Sequence, residues 1–265
     1  MNQRWRYGRT LYRLPDEVIN TSEYDVAAIA RDSDAKTFVT THHYSRSYPA
    51  ARYRFGLYHK GILAGVAVFS VPCNDKALTN VFPLPAVLSV EVGRFVLLDC
   101  VPGNGESWFL ARCFAALRRE GLAGIISYSD PFPRRSIDGT VVFKGHIGTI
   151  YQACNGVYLG RSNARTIHAL PDGSILSART IQKIRAQEHG WKYGTEILQR
   201  FGASPLTDNP ATWLAYWLPK VTRSFRHPGN HKYAWPLDRS TSRLMPVSLP
   251  FPKGDPLFRY CTQRK

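Results

Sequence analysis

The chain predicts an α/β fold with a basic C-terminal helical extension, and three observations carry that expectation. Between Val90 and Asp130, strand, turn-rich loop, helix and strand follow one another without a break. Upstream, a helical stretch and a hairpin can each be read from their own periodicity. Downstream, a short helix and another strand lead into two basic helices, and no internal repeat disturbs this order.

Val90–Asp99 is a mostly apolar, β-branched run of strand length. Cys100–Ser107 is rich in turn formers. Trp108–Glu120 then sets Phe109, Cys113, Ala116 and Leu117 at helical spacing, with Gly121 where a C-cap glycine belongs. Leu122–Asp130 is the second strand. Amides at the start of such a helix lie at the positive end of its dipole and suit a phosphate. The loop has neither a Gly-Lys-Ser/Thr phosphate loop nor a G-x-G-x-x-G fingerprint. On residues alone, plain packing of an ordinary capped helix explains it equally well.

Residues 1–21 form an arm in which Arg4, Arg6, Arg9 and Arg13 alternate with Trp5, Tyr7 and Tyr12. Such a mixture grips phosphates and stacks on bases, or is simply a solvated tail. Ser22–His43 is expected to be helical, with Val26, Ile29 and Ala30 on one face. Arg52–Tyr58 and Gly61–Ser70 form a hairpin through His59-Lys60-Gly61. Asn74–Ala86 is expected as a loop, and Pro131–Ser136 as a basic loop. Gly145–Gly156 holds a short helix, Val157–Arg161 a strand, and Thr166–Ala169 pairs with that strand or extends it around Asp172-Gly173. Ser177–Gly190 and Tyr193–Phe201 are basic helices, Trp213–Lys220 is aromatic, and His231–Leu237 is the last strand. The resulting division is an arm (1–21), a catalytic core (22–175), a basic helical region with the final strand (176–240) and an extended tail (241–265).

Charge narrows the class of partner. Among 265 residues, 35 Lys and Arg face 19 Asp and Glu, a formal charge of +16. Such an excess attracts polyanions, so nucleic acid is the leading partner. No basic amphipathic helix of adequate length and no bilayer-spanning apolar run is present, so no membrane partner is expected. The start of the chain lacks the apolar stretch of a signal peptide. The five cysteines are scattered and form no C-x-x-C pair. They read as reduced thiols of a cytoplasmic protein without structural zinc.

The order helix, hairpin, strand, loop, helix, strand, short helix, strand resembles the acyl-CoA-dependent N-acyltransferase (GNAT) fold over roughly residues 22–165. That resemblance implies a central mixed sheet flanked by helices, with two strands that splay apart. It also implies a coenzyme pyrophosphate held by Arg94 and by Gly103, Asn104, Gly105, Glu106 and Ser107. The usual Arg/Gln-x-x-Gly-x-Gly/Ala loop is absent. A more specific set falls in one order: His43-Tyr44-Ser45, Gly65–Phe69, Glu91-Val92-Gly93-Arg94, Asn104–Ser107, Ser127–Asp130 and Gly145–Ala153. Together these resemble the Mom family of bacteriophage DNA-modification proteins. The resemblance implies conversion of adenine in double-stranded DNA to N6-carbamoylmethyladenine, which protects phage DNA from host restriction in the host cytoplasm. It places the family's functional residues on His43, Tyr44, Arg94, Ser107, Asp130 and Tyr151, with Ser127 beside them.

Each candidate has a plain alternative. Asp130 after its strand could take a proton or ligate a metal, or merely form the turn before Pro131. Tyr151 could donate a proton to a leaving thiolate, or be a half-buried aromatic. His43 and Tyr44 suit base recognition or metal contact, or a helix end. His146 lies between two glycines, where a turn explains it. Arg94 anchors phosphates, or pairs with Glu91 or Asp99. Arg4, Arg6, Arg134, Arg135, Arg179, Lys183, Arg185 and Lys192 are candidate DNA contacts, or ordinary solvated charges. Reaching adenine N6 is easier with the base flipped out, and phosphate contacts offset that cost. Acetyl-CoA or a related acyl-CoA is the implied cofactor, and iron is a further one that hard ligands could hold. A carbamoylmethyl group joins nitrogen through a methylene carbon, so its attachment is an alkylation. Two other classes remain open: a conventional N-acyltransferase acting on aminoacyl-tRNA or protein amines, and a non-enzymatic DNA-binding protein.

Overall fold

The computed structural model describes the backbone of residues 3–6 and 9–12 and the whole of residues 17–253. β1 (Gln3–Arg6) and β2 (Arg9–Tyr12) pair with each other; β3 (Tyr24–Ala28), α1 (Asp32–His42), β4 (Ala51–His59) and β5 (Ile62–Ser70) follow. Next come α2 (Lys76–Thr79), β6 (Ser89–Leu97), α3 (Gly105–Arg119), β7 (Gly124–Ser129), β8 (Arg134–Arg135), β9 (Val141–Phe143), α4 (Thr149–Ala153) and β10 (Val157–Arg161). The remainder is β11 (Arg165–Ala169), β12 (Ile175–Leu176), α5 (Ala178–Ala186), α6 (Trp191–Arg200), α7 (Pro210–Val221), β13 (Arg223–His227), β14 (His231–Pro236) and α8 (Arg239–Leu244).

Two compact units share the chain. The first comprises Met1–Ser129, Ile147–Gly160 and His231–Lys265; the second comprises Asp130–His146 and Arg161–Asn230. The sequence had been read as contiguous blocks divided near residue 175. The division is instead an insertion: the second unit interrupts the first twice, and β14 returns to the first unit's sheet.

The first unit is a seven-stranded sheet in the order β10-β14-β7-β6-β5-β4-β3. The pairs β3–β4, β4–β5 and β5–β6 are antiparallel, β6 and β7 are parallel, and β14 runs antiparallel to β7. Helices cover both faces, so β5 is apolar on both sides. Val66 and Val68 pack with Ala35 and Val39 of α1. Ala67 and Phe69 join Phe109, Cys113 and Leu117 of α3. Burial of each such Val, Leu or Phe side chain contributes about 1.5–3 kcal/mol. This is the expected α/β fold: a central mixed sheet flanked by helices.

Several elements differ from their sequence-based expectation. The stretch expected as one helix from Ser22 is an edge strand, β3, followed by the shorter α1. Val26 lies opposite Leu57 in the ladder, and pairing along β4 outweighs the weak helical periodicity. Asn74–Ala86 holds the short α2, and Pro131–Ser136 contains β8, paired with β9. β11 pairs with β12 and β13 inside the second unit and not with β10. The basic extension expected after residue 175 is the helical layer α5–α7 of that unit, built on its own core of Ile181, Ile184, Leu198, Trp213 and Leu214. Cys73, Cys100, Cys113 and Cys154 are free thiols, and Cys261 lies outside the described residues.

Candidate active site

The parallel pairing of β6 and β7 is short. Ser89 faces Gly124, Val90 faces Ile125 and Glu91 faces Ile126, and there the ladder ends although both strands continue. Beyond Glu91 the two strands no longer share hydrogen bonds in register. This is the strand arrangement implied by the resemblance to the N-acyltransferase fold.

A register shift between β5 and β6 falls at the same place, since Val68 pairs with Arg94 and Phe69 with Val92. Gly93 is the residue left over, and a bulge re-aims the side chain that follows it. Only glycine fits there: a Cβ would collide with the Ser70 hydroxyl and lie 3.0 Å from Pro49. Arg94, just past the bulge, donates from Nε to the Ser47 carbonyl at 2.7 Å and from a terminal nitrogen to Ser47 Oγ at 2.7 Å. Ser47 Oγ donates to Ser45 Oγ at 3.2 Å, and Ser45 Oγ lies 2.9 Å from His43 Nδ1. The Ser45 amide also donates to Nδ1, at 3.1 Å, so the ring proton of neutral His43 is on Nε2. The Tyr44 ring packs on His43 with centroids 4.2 Å apart. A line of polar groups thus runs from the end of α1 to the bulge in β6.

Ionisation ties this line to Tyr151. Burial lowers the Arg94 pKa, and Tyr44, Glu91 and Tyr151 oppose that effect through their charges. Burial raises Glu91 to about 7, with Arg94 pulling the other way. Tyr151 is buried on α4 and its phenol is pushed up by desolvation, with the Ser127 hydroxyl opposing that rise. The Ser127 hydroxyl donates to the Val92 carbonyl at 3.4 Å, which places it across the parting strands. Two residues along β7, the hydroxyl of Ser129 is buried without a hydrogen-bond partner. The first unit thus holds a carboxyl that titrates near neutrality and a phenol that keeps its proton, groups suited to taking one proton and giving another.

Contacts in the first unit thus join His43, with Tyr44 packed on it, to Arg94 through Ser45 and Ser47, and Tyr151, paired with Ser127, acts on Arg94 through its charge. Glu91 acts on Arg94 through its charge as well; sequence reasoning quoted it in the Glu91-Val92-Gly93-Arg94 motif and as a salt-bridge partner for Arg94, and gave it no part in the chemistry. Its signal was faint: a lone acid inside an apolar strand, next to a glycine and an arginine.

The loop residues Gly103, Asn104, Gly105, Glu106 and Ser107 lie at the start of α3, which begins three residues earlier than expected. Asn104 is left-handed at the N-cap and supplies no side-chain cap, so the first turn's amides suit an anion such as a pyrophosphate. Glu106, an acid in that same turn, opposes one. Ser107 Oγ donates to the Asn104 carbonyl at 3.1 Å. Arg94 is held by Ser47, as described, and belongs with the polar line.

Asp130 has different company, all within the second unit. Its Oδ1 accepts from His227 Nε2 at 2.9 Å and from the Phe132 amide at 2.9 Å, and Oδ2 lies 3.6 Å from Arg134. His227 is 1% exposed, and its Nδ1 accepts the Gly229 amide, which leaves the proton on Nε2 facing the carboxylate. Sequence reading missed His227 because it lies 97 residues away from Asp130. His146 donates its amide to the Asp130 carbonyl at 2.8 Å, in keeping with a turn.

The basic candidates are dispersed. Arg134 stacks over Phe143 at 4.2 Å and is largely enclosed; Arg135 is exposed and donates to the Gly139 carbonyl. Arg179 is paired with Glu188 at 2.5 Å. Lys183 is half-buried, and Arg185 and Lys192 are exposed. The backbones of Arg4 and Arg6 lie in β1, and their side chains are outside the described residues. Among the described residues no group of three His, Cys, Asp or Glu is placed to hold a metal ion. No helix of the described residues is long and apolar enough to cross a membrane.

No curated protein sequence matches the chain. Among solved structures, a tandem GNAT protein from the clavulanic acid biosynthesis pathway is 7% identical, with 82% of this chain and 99% of that one covered and a TM-score of 0.43. Spermidine N-acetyltransferase from Vibrio cholerae is 10% identical over 84% of this chain and 98% of that one, with a TM-score of 0.38. The GNAT-family N-acetyltransferase YhbS from Escherichia coli, in complex with CoA, is 12% identical over 45% and 68%, with a TM-score of 0.31. The profile of the Mom protein family matches residues 23–253, a span that takes in every element from β3 through β14. The chain belongs to the Mom protein family.

Proposed function

We propose that the protein is a DNA-modifying transferase of Mom type, converting adenine in DNA to N6-carbamoylmethyladenine and so protecting phage DNA from host restriction. The observation that supports it most is the line of contacts from His43 and Tyr44 through Ser45 and Ser47 to Arg94, just past where the β6–β7 ladder ends, with Glu91 and Tyr151 acting on Arg94 through their charges, in a chain of that family. The net charge of +16 favours DNA as substrate.

Glu91, ionised near neutral pH, accepts the proton that the adenine amine loses as its nitrogen bonds to the methylene carbon and that carbon's bond to its leaving group breaks. Tyr151, kept protonated by burial and oriented by Ser127, donates to the group that departs. Arg94 steadies developing negative charge nearby, and the adjoining His43 and Tyr44 rings offer an aromatic surface to the base. An acyl-CoA, held by the first-turn amides of α3, would bring an activated thioester.

The test is mass spectrometry of nucleosides from plasmid DNA co-expressed with the protein. A carbamoylmethyl gain on adenine is expected, lost with Glu91→Gln or Tyr151→Phe. Unmodified adenine alongside the soluble wild-type protein would falsify the proposal. The same Glu91–Tyr151 pair also suits amine acyl transfer, so acetylation of a tRNA-linked or protein amine with unmodified DNA selects a conventional N-acyltransferase.

A further inference from the structure

The second unit contains a pair of helices whose outer face nothing in the chemistry above employs. α5 starts at Ser177, whose hydroxyl accepts the Thr180 amide at 3.0 Å, and runs for 9 residues. The chain then reverses through Gln187–Gly190, with both ends of the turn left-handed at φ 49 and 82. α6 follows for 10 residues. The two helices meet closely at Gly194: a Cβ there would lie 2.7 Å from Thr180 Cγ2 and 2.9 Å from Ile184 Cδ1. Ile181, Ile184 and Leu198 pack inward on Trp213 and Leu214 of α7.

The outer face of α6 is different. Lys192, Tyr193, Glu196 and Arg200 are all exposed and recur at the three- and four-residue spacing that aligns side chains in one stripe. Tyr193 is 67% exposed, a large aromatic kept out of a core that takes the neighbouring Gly194 and Leu198. Arg179 is engaged with Glu188, bracing the turn, whereas Lys192 and Arg200 flank the stripe with positive charge.

We propose that α5 and α6 form a helix-turn-helix that enters the major groove of duplex DNA, with α6 as the reading helix. Two helices joined by a tight turn with glycine, closely packed and backed by a third, are the elements such modules use. Lys192 and Arg200 complement the phosphates on either side of the groove. Tyr193 reaches base edges through its ring and hydroxyl, and Glu196 can accept from a cytosine amine. The proposal deepens the DNA reading above and rests on it: it names the element that selects where in the duplex modification occurs.

The experiment uses the full chain, fluorescence anisotropy on a short mixed-sequence duplex and on its separated strands, and sequencing of modified plasmid. The variants are Tyr193→Ala with Arg200→Ala, and Lys36→Ala on α1 as a charge-removing control. Wild type and Lys36→Ala are expected to prefer duplex, and the double variant to bind it about tenfold or more weakly. Its melting temperature should be unchanged, because both altered side chains are exposed. Any residual modification by that variant should be spread over more sequence contexts. Unchanged duplex affinity and context in the double variant overturn the helix-turn-helix while leaving the DNA substrate standing. Equal or tighter binding of single strands by wild type also overturns it. Absence of both duplex binding and modified adenine in wild type removes the DNA reading and this inference together.

Discussion

Glu91 and Arg94 stand on either side of the Gly93 bulge in β6, and each bears on the other's ionisation. Burial pushes Glu91 up to about 7 while the guanidinium draws it back; the carboxylate in turn supports the charge on Arg94 against burial. The site thereby holds a proton acceptor poised near neutral pH. Modification rate should climb as pH rises through about 7, where Glu91 loses its proton. Glu91→Gln should flatten the climb and lower the rate about 10²–10⁴-fold. Initial rates from pH 5.5 to 8.5 test it, and a wild-type profile with no rise near 7 rules Glu91 out as the base.

The same shift carries a stability consequence of opposite slope. Between the ordinary carboxyl value of 4.5 and about 7, the folded state binds the Glu91 proton more tightly than the unfolded chain does. Stability from this group is complete below that window and declines as pH climbs through it. Glu91→Gln should remove the decline and leave the variant more stable than wild type at pH 8, by about 1–3 kcal/mol. Urea denaturation at pH 5 and pH 8 gives both values.

Tyr151→Phe removes one hydroxyl from a buried ring that packs 5.5 Å from Tyr233 and 5.6 Å from Trp235. Packing survives, so the melting temperature should hold within a few degrees. Activity should drop about 10²-fold or more if the phenol gives a proton. Ser127→Ala should cost less, because it only orients that phenol. Equal activity in Tyr151→Phe and wild type leaves the tyrosine as a packing residue.

Arg94→Lys should not rescue Arg94→Ala. The guanidinium spans the Ser47 carbonyl and hydroxyl from two nitrogens, and a lysine ammonium is a single point donor. Both variants are expected to lose about 1–3 kcal/mol of stability together with activity. Full activity in the lysine variant would show that charge alone suffices.

Asp130→Ala calls for a stability measurement beside any assay. It would leave His227, 1% exposed, without the carboxylate that accepts its Nε2 proton. A loss of about 1–3 kcal/mol follows from an orphaned buried donor. Asp130→Asn, which keeps an acceptor oxygen, should recover most of it. Modification lost in both variants while the asparagine form stays stable assigns Asp130 a chemical role.

Much of the first unit was legible because its signals are local. Val90–Asp130 carries strand, loop and helix periodicities within a short span, and β4–β5 announces itself through Lys60-Gly61. His43, Tyr44, Arg94, Ser127 and Tyr151 were reached as a motif set, and contacts join the first three of them along one polar line. The edge strand β3 was hidden, because Val26, Ile29 and Ala30 fit a helix until β4 supplies hydrogen bonds.

By itself the order of residues determined the α/β class, the basic character and most of the candidate site, since periodicity, turn chemistry and net charge are properties of neighbours along a chain. Only the tertiary structure decided that β14 lies between β7 and β10, and that a whole unit interrupts the sheet-forming sequence. It alone gave Glu91 its place among the titrating groups and Asp130 its histidine. Desolvation and pairing depend on which distant segments close around a group, and no spacing along the sequence records that.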